Sequence, residues 1–167
     1  MVRLYLVRHA IAFERDEDKW PDDTKRPLTH KGIARMREVV DGLVELGVEL
    51  DLVITSPLVR AKQTADVIIA GLPDAPELTE SESMSPSGTP AAVGDVLAHH
   101  TKLKNIGLVG HEPNLGELGA WLIGAKHPLA FKKGGVACIE LPTLPVAGPG
   151  HLLWHATPKM LRSLADL

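Results

Sequence analysis

Three short apolar runs, VRLYLV at 2–7, DLVIT at 51–55 and NIGLVG at 105–110, are nearly continuous rather than alternating, and segments of helical period lie between them. A strand that is apolar on both faces must be covered on both, and helical crossovers between parallel strands supply that cover. The order therefore predicts an α/β protein, a three-layer α/β/α sandwich with a mainly parallel sheet. GVACIEL at 135–141 and HLLWHA at 151–156 add two further strands. With 167 residues and 44% apolar content, the chain suits a single domain over 1–167.

The helices have recognisable starts. Thr29 is a candidate N-cap for a helix in which Ile33, Met36, Val40, Leu43 and Val44 recur at helical spacing, with Gly47 at its end. Ser56-Pro57 reads as an N-cap hydroxyl followed by proline at the first helical position, which places Arg60 in the first turn of LVRAKQTADVIIA. Thr89-Pro90 opens a helix over 90–103, another runs from Pro113 to Ile123, and a short one closes the chain from Pro158 to Leu167. FERDEDKWPDDTKRP at 13–27 and GLPDAPELTESESMSPSGTP at 71–90 are rich in turn formers and lack a period, so both read as long loops, the first beside a strand end and the second a candidate cover for the site.

Charge excludes some partners. Eighteen basic against twenty-one acidic residues give a net charge of -3, so no overall basic field favours nucleic acid or an anionic membrane, and any anion site must be local. The single cysteine, Cys138, lies inside an apolar run and reads as a core residue. No stretch approaches the roughly 18 apolar residues that span a bilayer, and the first strand begins at once, so a cytoplasmic protein is expected. His30, His99, His100, His127, His151 and His155 have no cysteine or carboxylate at metal-ligand spacing. Surface or packing roles are expected for them, and no metal or other cofactor.

Functional groups gather at strand ends. Arg8 and His9 end the first run, Ser56 to Arg60 follow the second, and Gly110-His111 end the third. In open α/β sheets the carboxyl ends of strands face the ligand crevice. If the three strands are neighbours, two imidazoles and two guanidiniums converge there, an arrangement that an anion such as phosphate compensates. Arg60 is favoured further by the free N–H groups of its helix N-terminus and by the bidentate fork of its guanidinium.

LVRHA at 6–10, RPLTHKG at 26–32, SPLVRAKQTA at 56–65 and LVGHEPNL at 108–115, in this order, resemble the histidine phosphatase superfamily, and within it the short SixA-type phosphohistidine phosphatase branch. The resemblance runs over nearly the whole chain. It implies that His9 is the nucleophile that accepts the phosphoryl group, that Arg8, Arg60 and Arg26 bind phosphate, and that His111 completes the pocket. It also implies turnover through a covalent phosphohistidine, with a phosphorylated protein as substrate, such as a histidine-phosphotransfer protein. A small phosphate ester as substrate, or phosphate-dependent binding without turnover, are the alternatives.

The chemistry agrees with those roles. A neutral imidazole is nucleophilic near neutral pH, and phosphoryl transfer needs positive charge fixed around the equatorial oxygens. A division into neutral His9 and cationic His111 is expected. Larger members of the superfamily use a glutamate on an inserted segment as general acid. Glu80 and Glu82 are the candidates in the corresponding part of this chain, though both read more readily as loop carboxylates. A leaving imidazole demands less help from an acid than an alkoxide does, which favours phosphohistidine.

Overall fold

The computed structural model describes residues 1–167. Its strands are β1 (Val2–Arg8), β2 (Leu52–Thr55), β3 (Glu77–Glu80), β4 (Asn105–Gly110), β5 (Val136–Leu141) and β6 (His151–Ala156). They form one sheet in the order β3-β2-β4-β1-β5-β6. β1, β2, β3 and β4 are mutually parallel, and β5 and β6 are added antiparallel beyond β1, so the sheet is mainly parallel as expected.

The near-continuous apolar runs have a physical cause. In β1, Val2, Leu4 and Leu6 point into one core while Tyr5 and Val7 point into another. Helices α1 (His30–Glu45), α2 (Val59–Gly71) and α5 (Pro158–Leu164) cover the Tyr5 face, contributing Met36, Val40, Ala65, Ile68 and Leu161. Helices α3 (Pro90–Leu97) and α4 (Asn114–Ile123) cover the Leu4 face with Val93, Leu97, Leu115, Leu118 and Leu122. Fully burying one such leucine or isoleucine stabilises the fold by about 1.5–3 kcal/mol, so both layers are needed. Cys138 is buried in the Tyr5 core with its thiol free. No helix is long and apolar enough to cross a membrane.

Local structure departs from the sequence reading in three places. The stretch 71–90, read as a loop, contains the edge strand β3, which pairs parallel with β2 from Leu52↔Glu77 to Thr55↔Glu80. Its sequence ELTE is largely exposed, so it lacks the apolar run that betrays a buried strand. The helix expected over 90–103 ends at Leu97. Ser56 is not the N-cap of α2: the helix begins at Val59 after Leu58, and the Ser56 hydroxyl is used elsewhere. Thr29, Thr89 and Thr157 do cap their helices, each accepting a backbone N–H from the first turn.

The topology creates the crevice. From β1 the chain proceeds outward to β2 and β3, returns to β4 between β2 and β1, and then crosses to β5 on the other side. The carboxyl ends of β1 and β4 thus lie at the switch point where the direction of winding reverses. The His9 N–H donates to the Gly110 carbonyl at 3.0 Å, which locks those two ends together.

Candidate active site

His9 follows β1 directly and is buried. Its Nδ1 lies 2.7 Å from the Ala10 carbonyl oxygen. A carbonyl only accepts, so Nδ1 carries the ring proton and the lone pair resides on Nε2. The backbone beneath is pinned as well. Gly134, at φ +82, donates its N–H to the carbonyls of Arg8 and His9, and the Ala10 N–H donates to Thr64 Oγ1 on α2.

His111 follows β4, and its ring centroid lies 5.2 Å from that of His9. Its Nε2 is 2.7 Å from Ser56 Oγ, which also accepts the Leu58 N–H at 3.2 Å. When Ser56 donates its own proton to Nε2, the neutral ring carries its proton on Nδ1. That atom is buried and has no partner within the protein.

The guanidiniums are held by the backbone and by one carboxylate. Arg8 Nη1 donates to the Phe131 carbonyl at 2.7 Å. Arg60 Nη1 donates to the Asp23 carbonyl at 3.0 Å, and its Nη2 lies 3.4 Å from the Asp23 carboxylate. The same carboxylate takes Arg26 Nε at 2.9 Å, while Arg26 Nη1 donates to the Phe13 carbonyl at 2.6 Å. Arg8 Nε and Arg60 Nε, like His111 Nδ1, are buried without a protein partner. Each such atom costs about 1–3 kcal/mol if left unsatisfied. All three belong to side chains lining one pocket of about 360 Å³, which His9 and Arg26 also line. A tetrahedral oxyanion presents acceptors in several directions at once, and it is the ligand chemistry that answers these donors.

Burial sets the protonation states. It is the chief cause that lowers His9 to about 3, with His111, Arg60 and Arg8 adding repulsion against the Ala10 bond, which favours the charged ring. It likewise lowers His111 to about 4, with Arg60 and Arg8 the next contributors. Both imidazoles are therefore neutral at pH 7. The cation expected of His111 is the form that a phosphate dianion beside the arginines would favour; within the protein only Asp23 offsets its burial, and by less than Arg60 or Arg8 opposes it. The Asp23 carboxyl is held below its ordinary range, first by its hydrogen bond from Arg26.

The structure thus brings together Arg8, His9, Arg26, Arg60 and His111. It does not bring Glu80 or Glu82 to them. Neither lines the pocket. Glu80 ends the edge strand and pairs with Lys62 Nζ at 2.8 Å, and Glu82 lies exposed in a 3₁₀ turn over Glu82–Met84. Sequence reasoning missed the roles of four supporting residues, having read one of them, Ser56, as a helix N-cap. Asp23 joins Arg26 to Arg60, and Ser56 orients His111. Glu112 accepts the N–H groups of Gly116 and Phe131 and so secures the carbonyl that holds Arg8, while Phe13 contributes its carbonyl and part of the rim. Glu112 stood inside the quoted GHEP motif; Asp23 sat in a charged loop where nothing set it apart.

A family model for the histidine phosphatase superfamily, branch 1, matches residues 4–83. Phosphohistidine phosphatase SixA of Escherichia coli K12 is 32% identical over 167 residues, spanning 96% of this chain and 97% of that protein. An uncharacterised protein of a Picosynechococcus strain is 34% identical over 142 residues, spanning 81% of this chain and 82% of its own. Among solved structures, the protein histidine phosphatase SixA complexed with tungstate matches with a TM-score of 0.85 at 25% identity, over 96% of this chain and 99% of that one.

Proposed function

The chain belongs to the histidine phosphatase superfamily, on its SixA-type branch, and is a phosphatase; from that premise we propose that it hydrolyses phosphohistidine on a phosphorylated protein, with His9 as the nucleophile. The observation that carries this reading is the bond from His9 Nδ1 to the Ala10 carbonyl, which leaves a neutral Nε2 as the free nucleophile of a pocket lined by Arg8, Arg60 and His111. With the substrate imidazole protonated from solvent on its other ring nitrogen, the Nε2 lone pair attacks phosphorus, the P–N bond breaks, and that imidazole departs as a neutral ring with the electron pair. Water then attacks the phosphorus on His9, releasing inorganic phosphate and regenerating the ring. Arg8 Nε, Arg60 Nε and His111 Nδ1 hold the equatorial oxygens through both steps.

The proposed substrate follows from the surrounding carboxylates. Glu112 has both oxygens engaged by backbone N–H groups. Glu14, exposed at the rim, is the other glutamate lining the pocket. A leaving imidazole can take its proton from solvent and so demands less of an enzymic acid than an alkoxide does, and the site as built suits a phosphoramidate. Glu14 is also what favours a second reading, a small-ester phosphatase in which that carboxyl protonates an alkoxide. Phosphate-dependent binding without turnover loses its support, because the chain is a member of a phosphatase family with a poised nucleophile.

A turnover panel separates these readings. Phosphohistidine protein should be hydrolysed fastest, activated aryl phosphates more slowly, and phosphoserine peptide and sugar phosphates least. Phosphate trapped on the wild-type enzyme should sit on His9 in an acid-labile, alkali-stable bond. A flat series across leaving groups, combined with a loss of about 10²–10⁴-fold on alkyl substrates in Glu14→Gln, would establish the ester reading instead.

A further inference from the structure

A second pocket, of about 210 Å³, opens beside the Ala10–Ile11 segment that follows the nucleophile. Five cations surround it: Arg35 from α1, Lys132 and Lys133 from the loop before β5, and Lys159 and Arg162 from α5. No carboxylate lines it, and only Arg162 has a charged partner, Glu38 at 3.8 Å. Lys133 lines the catalytic pocket as well, so the cationic surface is continuous from one to the other. In a chain of net charge -3 this is a marked segregation of like charge, and the mutual repulsion it carries is relieved by an anionic partner.

The construction of the cleft indicates the kind of anion. Arg35, Lys132, Lys133 and Lys159 are exposed, and no buried unpartnered donor is present, in contrast to the phosphate pocket. Lysines on flexible stems are hydrated point charges that impose no bidentate geometry. They suit several solvated carboxylates spread over a surface better than one tetrahedral group. We propose that this cleft docks a cluster of carboxylates on the substrate protein, next to the phosphorylated histidine; the proposal rests on the reading of the neighbouring pocket as a phosphohistidine site. The cleft then acts on encounter and residence of the substrate, and so on KM, leaving the chemical step to the pocket.

The test uses two histidine-phosphorylated peptides, one flanked by four glutamates and one by four glutamines, with p-nitrophenyl phosphate as a small substrate. At low ionic strength the wild type should prefer the glutamate peptide about tenfold in kcat/KM, through KM, and lose the preference in about 0.5 M salt. The triple variant Arg35→Gln/Lys132→Gln/Lys159→Gln, all exposed positions, should lose it too while hydrolysing the aryl phosphate at the wild-type rate. Equal kcat/KM for both peptides in the wild type, or a preference that survives in the triple variant, overturns the docking surface. Should neither peptide be turned over while the aryl phosphate is, it is the phosphohistidine reading that fails. The cleft is then judged by the unphosphorylated glutamate peptide alone. NMR shifts at Lys132–Gly134 and Pro158–Arg162 that vanish in the triple variant support it, and no binding at about millimolar peptide overturns it.

Discussion

The pocket around His9 and the lysine-lined cleft beside it are both rich in cations, yet they are built in opposite ways. In the pocket Arg8 and Arg60 each have one edge tied down, Arg8 to the Phe131 carbonyl and Arg60 to Asp23, so that the buried Nε of each is presented in a fixed direction. In the cleft the charges of Arg35, Lys132 and Lys159 stand in solvent without a partner. Fixed donors need not reorganise as charge develops during phosphoryl transfer, and that is where they gain over water. Mobile ones gather an acidic partner without shaping a transition state. On the proposed function this contrast assigns chemistry to the buried region and recognition to the exposed one.

The sharpest way to break this division is to remove the nucleophile. His9→Ala should lower turnover of every substrate about a hundredfold or more while leaving the fold and phosphate binding intact, because the other imidazole of the pocket, His111, has its Nε2 lone pair engaged by Ser56. Circular dichroism and phosphate titration check the latter, and steady-state assays the former. A variant that retained a larger share of its activity would remove His9 from its role.

Next in size is the effect of exchanging the two cation types. Arg60→Lys keeps the charge but gives up both the fork on Asp23 and the free Nε, so a loss of about tenfold or more in the phosphoryl-transfer step is expected. Lys159→Arg, the reverse exchange in the cleft, should leave both aryl phosphate and peptide turnover unchanged. Equal sensitivity at the two positions would erase the distinction. Ser56→Ala should have a smaller effect, several-fold on kcat with little change in KM, by freeing His111 to place its proton on either nitrogen. The ¹⁵N shifts of the His111 ring report that redistribution directly, which a merely structural role for Ser56 would not produce.

How much of this was legible in the sequence depended on whether a feature is local. β1, β2 and β4 announced themselves because burial on both faces leaves an unbroken apolar run. The caps Thr29 and Thr89 did so because they act within one turn. Arg8, His9, Arg60 and His111 were readable because each directly follows or ends a strand, or lies in the first turn of a helix, at the crevice. Arg26 took its place on the resemblance alone, since its buried position depends on Asp23 and the Phe13 carbonyl, contacts created by the folded loop. Asp23, Ser56 and Glu112 act across 19 to 55 residues or through a turn, and nothing in their neighbours records that. β3 escaped because an exposed edge strand has no apolar period to read.

The two buried imidazoles also make the pocket the acid-sensitive region. Unfolded histidine titrates near 6.5, whereas His9 and His111 are lowered to about 3 and about 4 in the folded protein. Between those limits the unfolded chain binds more protons, so stability present above pH 6.5 is lost as pH falls through the window. Each histidine adds a slope approaching about 1.4 kcal/mol per pH unit. Denaturant melts at stepwise pH should show the slope reduced in His111→Asn, and inorganic phosphate should reduce it too by favouring protonated His111.

The smallest expected effect falls on the carboxylates that the pocket does not include. Glu80 is engaged with Lys62 at the far edge of the sheet, and Glu82 points to solvent from its turn. Neither lines the pocket. Glu80→Gln and Glu82→Gln should therefore leave turnover within about twofold of wild type on phosphohistidine, aryl and alkyl phosphates alike, since a general acid acts only within hydrogen-bond reach of the leaving atom. Glu80→Gln breaks only an exposed ion pair, so its stability should change by less than about 1 kcal/mol. The informative outcome is the dependence on leaving group. A loss that grew from aryl to alkyl substrates in either variant would mean that the segment 80–84 swings over the pocket during turnover and delivers its carboxyl there. The boundary between a fixed reacting region and a mobile recognising one would then have to be redrawn through that segment.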